Sequence, residues 1–123
     1  MVKQVCTTVA IACLFGCGGG YTSPVTPPVN TPAPDGGISV TNNAFTPASK
    51  TVSVNMAVQW AWNSCTDTYN SQTCVSHDIV FDDGATSGIK DQGTYSRTFA
   101  TAAIYNYHCS IHPTVMSGSI TVN

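Results

Sequence analysis

The chain is 123 residues long, 42% hydrophobic and only 8% charged, with a formal net charge of −2. That length holds one domain and little more. With so few cations and no basic stripe, the composition excludes a nucleic-acid surface.

The N-terminal residues stand apart from any core. Lys3 precedes an apolar stretch from Val5 to Phe15, too short to cross a bilayer as a helix, and the pattern predicts a bacterial-type secretion signal over residues 1–17. It ends Leu14-Phe15-Gly16-Cys17, which resembles a lipoprotein signal whose cysteine becomes the acylated N-terminus. Phe15 is bulkier than the small residue usual there, and a plain signal peptide is the alternative. On the lipoprotein reading the protein is exported to the periplasm or cell envelope and held to the membrane by acyl chains on Cys17, each buried CH₂ contributing about 0.8 kcal/mol. Residues 18–36, rich in Gly, Thr and Pro, have nothing with which to bury a core and predict a disordered, semi-stiff spacer. A stalk fits that composition better than a set of proline ligands.

From residue 37 onward the pattern is that of short strands. Ile38-Ser39-Val40 is followed by Lys50 to Val54, and then Val58-Gln59-Trp60-Ala61-Trp62 alternates cleanly, with Val58, Trp60 and Trp62 on one face. The next segment, Cys65 to Cys74, is polar and reads as a loop. Further strands are predicted at His77–Phe81, Thr94–Phe99, Ile104–Cys109 and Ser117–Val122. With Gly, Pro and Asn between them and no convincing helix, about seven or eight strands imply an all-β sandwich over residues 37–123. Asp82, Asp83 and Asp91 frame a glycine-containing turn region; calcium is a weak reading, because the spacing of a calcium loop is absent.

The chemistry concentrates near the C-terminus, in Tyr105-Asn106-Tyr107-His108-Cys109-Ser110-Ile111-His112-Pro113-Thr114-Val115-Met116. A thiolate, an imidazole and a thioether on one short segment are donors that copper favours, and a second imidazole would complete a two-His, one-Cys set with a weak axial thioether. His77 can supply it. Strand alternation sorts the candidates: Tyr105, Tyr107 and Cys109 share one face, whereas His108 points to the other and reads as a bystander. The same alternation places His77 with Ile79 and Phe81, facing inward. An inert packed thiol at Cys109 and a satisfied interior histidine at His77 are the bland alternatives. Cysteine parity adds an independent check. Beyond Cys17 the chain keeps Cys65, Cys74 and Cys109, and an odd number in an exported protein leaves one unpaired. If Cys109 binds metal, Cys65 and Cys74 remain to form a disulfide, which would constrain the unfolded chain by roughly 2.7 kcal/mol on the loop-entropy relation.

The run Val75-Ser76-His77-Asp78-Ile79-Val80-Phe81, the strand Gly93 to Phe99 and the Tyr-x-Tyr-x-Cys-x-x-His-Pro loop resemble the plastocyanin/amicyanin/pseudoazurin group of cupredoxins, the small blue copper proteins. The resemblance covers residues 37 to 123 and implies a Greek-key β-sandwich holding one copper ion through His77, Cys109 and His112, with Met116 as the long axial ligand. Two departures stand out. Three residues separate His112 from Met116, where amicyanin-like loops have two and plastocyanin-like loops four. The residue after the first ligand histidine, commonly Asn in the group, is Asp78; it keeps an acceptor for Ser110 but adds negative charge beside the thiolate, which lowers the expected potential.

The resemblance further implies a monomer that passes single electrons between transient protein donors and acceptors, with His112 as the exposed edge beside Ile111, Pro113 and Val115. Catalysis by Cys109 with a histidine is not expected, since nothing in the chain reads as a separate substrate site and His108 points away from the thiol. A copper carrier or scavenger of the cell envelope, using the same ligands without an electron-transfer role, is the competing expectation.

Overall fold

A computed structural model describes Asn30 and residues 33–123. The secretion signal, Cys17 and most of the spacer lie outside the described residues. Among the described residues there are ten strands and no helix. They are β1 (Ile38–Thr41), β2 (Ala44–Thr46), β3 (Ser49–Val52), β4 (Ala57–Trp62), β5 (Cys65–Thr68), β6 (Ser71–Cys74), β7 (Val80–Phe81), β8 (Thr94–Thr98), β9 (Ala103–His108) and β10 (Ser117–Val122). One four-stranded sheet has the order β2-β1-β4-β8 and the other β3-β10-β9-β7, so the chain crosses repeatedly between two layers in a Greek-key sandwich.

Alternation builds the core as the sequence implies. Val58, Trp60 and Trp62 of β4 are all buried, as are Tyr107, Ile120 and Val122 on the inner face of the opposing sheet. Trp60 is the hub: its ring meets Phe81, Tyr95 and Tyr107 at centroid distances of 5.7, 5.7 and 5.6 Å. The pairs with Phe81 and Tyr107 are edge-to-face, an arrangement that adds to simple area burial. Burial pushes the Tyr107 phenol up to about 12.

Three elements differ from expectation. The polar segment from Cys65 to Cys74 is a β-hairpin, β5–β6, with Cys65 directly opposite Cys74 and a two-residue turn at Tyr69-Asn70. It forms a small sheet of its own. A short β2 packs antiparallel on β1 where no strand was expected. Finally, the expected strand from His77 is regular only at Val80–Phe81, because side chains interrupt the ladder: Ser87 Oγ accepts from the Ile79 N–H at 2.9 Å. His77 is instead held by an isolated bridge to Lys90, with His77 N donating to Lys90 O at 2.8 Å and Lys90 N to His77 O at 2.9 Å.

Gly118 lies opposite Tyr107 in the β9–β10 ladder. A Cβ there would sit 2.5 Å from the Tyr107 Cζ and hydroxyl and 2.6 Å from the Ala48 carbonyl. Neither a backbone carbonyl nor a buried ring can yield cheaply. Gly118→Ala is therefore expected to destabilise the domain by about 1–3 kcal/mol, read from urea unfolding; an unchanged midpoint would show that the Tyr107 ring is free to move aside.

Candidate metal centre

Two segments distant in sequence meet at one end of the sandwich. β9 runs inward-outward up to Cys109, whose side chain shares the buried face of Tyr107. Across the β7–β9 pair, Val80 lies opposite His108 and Phe81 opposite Tyr107, so the residues just before β7 lie beside those just after β9. That register brings His77 to Cys109. The His77 Nδ1 is 3.8 Å and the His112 Nδ1 3.9 Å from the Cys109 Sγ. The donor atoms of the three residues all fall within 4.8 Å of one another. His77 and Cys109 are wholly buried, and His112 is half-buried.

The loop closes by backbone bonds. Cys109 N donates to the Met116 carbonyl at 2.9 Å, and Met116 N donates to the His112 carbonyl at 3.0 Å. The three-residue spacing between His112 and Met116 is thus a tight turn that returns Met116 to the buried side of the loop, against Cys109. Asp78, only 4% exposed, fixes the other seam: its Oδ1 accepts from Ser110 N at 2.7 Å and its Oδ2 from Ser110 Oγ at 2.5 Å. Asp78 follows His77 and Ser110 follows Cys109, so one carboxylate ties the two donor-bearing segments together.

His108 stands where alternation puts it, half-buried on the outer face. There it lines a groove of about 580 Å³ with Asp82, Asn106 and Pro113, away from the donors. Asp83 of the acidic turn is paired with Arg97. The supports that sequence reasoning missed are mostly backbone contacts, which leave no side-chain signature: the Lys90 bridge to His77, and the His77 carbonyl accepting from the Trp62 indole at 3.2 Å.

The donor set fits copper. A thiolate and two imidazoles sharing one centre about 2.0–2.3 Å away in a trigonal plane would stand roughly 3.8 Å apart, close to the two nitrogen–sulfur distances. The two imidazole rings converge, with centroids 5.0 Å apart and planes 51° apart. Burial, and next the nearby His112, hold the His77 imidazole below its usual proton affinity, while Asp78 opposes them. A neutral, deprotonated nitrogen is the form a metal needs.

Residues 37–123 match the family of copper-binding proteins described as the plastocyanin/azurin family. No curated protein matches the chain in sequence. Among solved structures, the copper-containing nitrite reductase NirK from Thermus scotoductus SA-01 is similar at 26% identity and a TM-score of 0.59, over 71% of this chain and 22% of that one. This chain therefore spans about a fifth of the reductase's length. A purple cupredoxin from Nitrosopumilus maritimus is 21% identical with a TM-score of 0.59, over 72% of this chain and 100% of that one. An oxidized amicyanin variant is 21% identical with a TM-score of 0.60, over 74% and 85%. At these identities the last two show the sandwich fold alone.

The lowered His77 affinity has a stability consequence in metal-free protein. The unfolded chain takes up the His77 proton first, so the contribution of neutral His77 is complete above about pH 6.5 and is lost as pH falls below it. Urea unfolding of the metal-free protein between pH 7 and 5 should show stability falling with pH, and the slope should flatten in His77→Gln. Equal slopes in the two proteins would contradict the burial argument.

Proposed function

The chain belongs to the plastocyanin/azurin family of copper-binding proteins, and from that premise we propose that it is a blue copper protein that carries single electrons between protein partners. The observation that supports this most is the convergence of both imidazole Nδ1 atoms on the buried Cys109 Sγ. We assign His77, Cys109 and His112, together with the Met116 thioether, as the residues that would hold the copper. When bound, copper supplies a one-electron couple between Cu(I) and Cu(II).

The protein's part is to keep the donors still. Cys109 is wholly buried in the core cluster that also holds Met116 and Tyr107, which keeps water from the sulfur. His77 is pinned through its own backbone by Lys90 and Trp62. Asp78 holds Ser110, and with it the start of the ligand loop, at a fixed separation from His77. His112 alone of the three reaches the surface, and around it Ile111, Pro113 and Val115 are exposed. That uncharged rim suits a small, transient contact with a redox partner. Burial of His77, Cys109 and Met116 also favours retention over delivery, since handing on the ion would require the loop to open.

We read the protein as an electron carrier rather than an enzyme: among the described residues the three donors are the one cluster of metal-binding side chains, and His108 faces away from them. The same reading places it outside the cytoplasm as a monomer, released by a secretion signal over residues 1–17, carried on the spacer of residues 18–36 and anchored through an acylated Cys17. Residues 37–123 are then the working domain.

Copper-loaded, oxidised protein should show an intense visible thiolate-to-copper absorption and cycle reversibly between oxidation states. Cys109→Ser should remove that band; its persistence would overturn the ligand assignment, and tight copper binding without reversible cycling would favour the carrier reading. Asp78→Asn keeps an acceptor for the Ser110 N–H but removes a charge. Voltammetry should then show the potential rising on the order of 50–100 mV, the scale of a unit charge acting through an effective dielectric near 20. No upward shift would show that Asp78 acts as a tether only.

A further inference from the structure

The β5–β6 hairpin joins neither large sheet, and every residue in it is exposed or half-buried. It adds nothing to the core, yet it is tightly held. Besides the Cys65–Cys74 disulfide, Thr68 Oγ1 donates to the Ser71 carbonyl at 2.9 Å, Gln72 Nε2 to Asp67 at 2.6 Å, and Ser64 Oγ to the Val75 carbonyl at 2.7 Å. The rigid strands present one aromatic side chain: Tyr69, at the turn, is 95% exposed. Asp67 is the sole charge between Asn63 and Val75.

A second observation concerns the chain that leads into the domain. The side-chain amide of Asn30 donates to the Cys65 carbonyl and its Oδ1 accepts from the Cys65 N–H, both at 3.1 Å. This reciprocal pair imitates a step of β-ladder and binds the incoming arm to the base of the hairpin. That base rests on Asp91, whose carbonyl oxygen lies 3.4 Å from Ser64 Oγ and 3.8 Å from the Cys65 Sγ. Lys90, next in the chain, is the residue bridged to His77. The arm therefore meets the domain at the end that holds the metal donors.

We propose that the hairpin is a membrane-contacting element: the Asn30 clamp turns the metal end of the anchored protein toward the bilayer and sets the Tyr69 ring among the lipid headgroups. This rests on the lipid anchor at Cys17 and is independent of the electron-transfer reading. Twelve residues lie between Cys17 and Asn30, a reach of at most about 45 Å. A tether that short makes the contact intramolecular, at an effective concentration in the millimolar range, so a weak contact suffices. A tyrosine ring, apolar in body and polar at its tip, suits the headgroup layer. Beyond Cys17 three cations, Lys50, Lys90 and Arg97, face six aspartates, so the domain should prefer neutral lipid to anionic lipid. His112, at the same end, then faces that membrane.

The test uses the full, lipidated, copper-loaded chain in reduced form, with Tyr69→Trp as reporter. Its emission, taken as the difference from the unsubstituted protein, is compared in phosphatidylcholine vesicles with and without lipids brominated near the headgroup end. Flotation of the vesicles measures anchoring separately. The proposal expects co-flotation and quenching by the brominated lipid, with quenching reduced by Asn30→Ala and in phosphatidylglycerol vesicles. Flotation without quenching would overturn it and leave the hairpin as a contact for protein instead. Quenching unaffected by Asn30→Ala would overturn the role of the clamp. Failure to float would remove the anchor and the proposal with it, leaving the copper chemistry untouched.

Discussion

The Asp78 carboxylate is the constraint on which the rest of the metal end depends. It is buried, it has no cationic partner among the described residues, and it spends both oxygens on Ser110. Hydrogen bonds to a charged group contribute about 1.5–3 kcal/mol each, and leaving a buried charge unmatched costs still more. The two strands that flank the site share a ladder of only two residue pairs, Val80 with His108 and Phe81 with Tyr107. So short a ladder leaves the loops beyond it free to splay. Asp78 prevents that by extending the connection two residues past the last β-pair, at the place where His77 and Cys109 must face each other.

A donor geometry fixed in this way follows from packing rather than from the metal. Cys109 is continuous with the aromatic layer of Tyr107, Phe81 and Trp60, whose rings lock one another at centroid distances of 5.2 to 5.7 Å. Interiors this dense resist small displacements, so the sulfur has little freedom. The ligand loop, by contrast, holds few apolar contacts at Ile111, Pro113 and Val115 and relies on the turn from His112 to Met116. The site thus joins a rigid half, His77 and Cys109, to a half that ends at the surface. That division suits a centre that must exchange electrons with a partner while keeping water from the sulfur.

Much of this was legible in the sequence because strand alternation is a strong signal. It separated Cys109 from His108 and grouped His77 with Ile79 and Phe81, and cysteine parity left Cys65 and Cys74 to bridge. The β5–β6 hairpin was not legible as strands, because neither of its faces is buried and its residues lack the hydrophobic alternation that marks a strand. What hinted at it was symmetry: Thr-Asp-Thr and Ser-Gln-Thr between two cysteines flank Tyr69-Asn70, and Asn70 accepts the left-handed turn at φ 72°. β7 was overextended for the opposite reason. His77–Phe81 alternates well, but Asp78 and Ser87 take hydrogen bonds that a regular ladder would have used. The Asn30 clamp lay in a proline-rich stretch, where composition suggests only a spacer.

The central claim is that folding alone sets the donors for copper, so that the ion changes oxidation state without changing its surroundings. Copper K-edge X-ray absorption of the loaded protein, recorded fully oxidised and fully reduced, tests it most directly. The account predicts one short sulfur and two imidazole nitrogens in the shell of both states, with nearly the same distances. A shell without the thiolate sulfur, or one that sheds an imidazole on reduction, would contradict it.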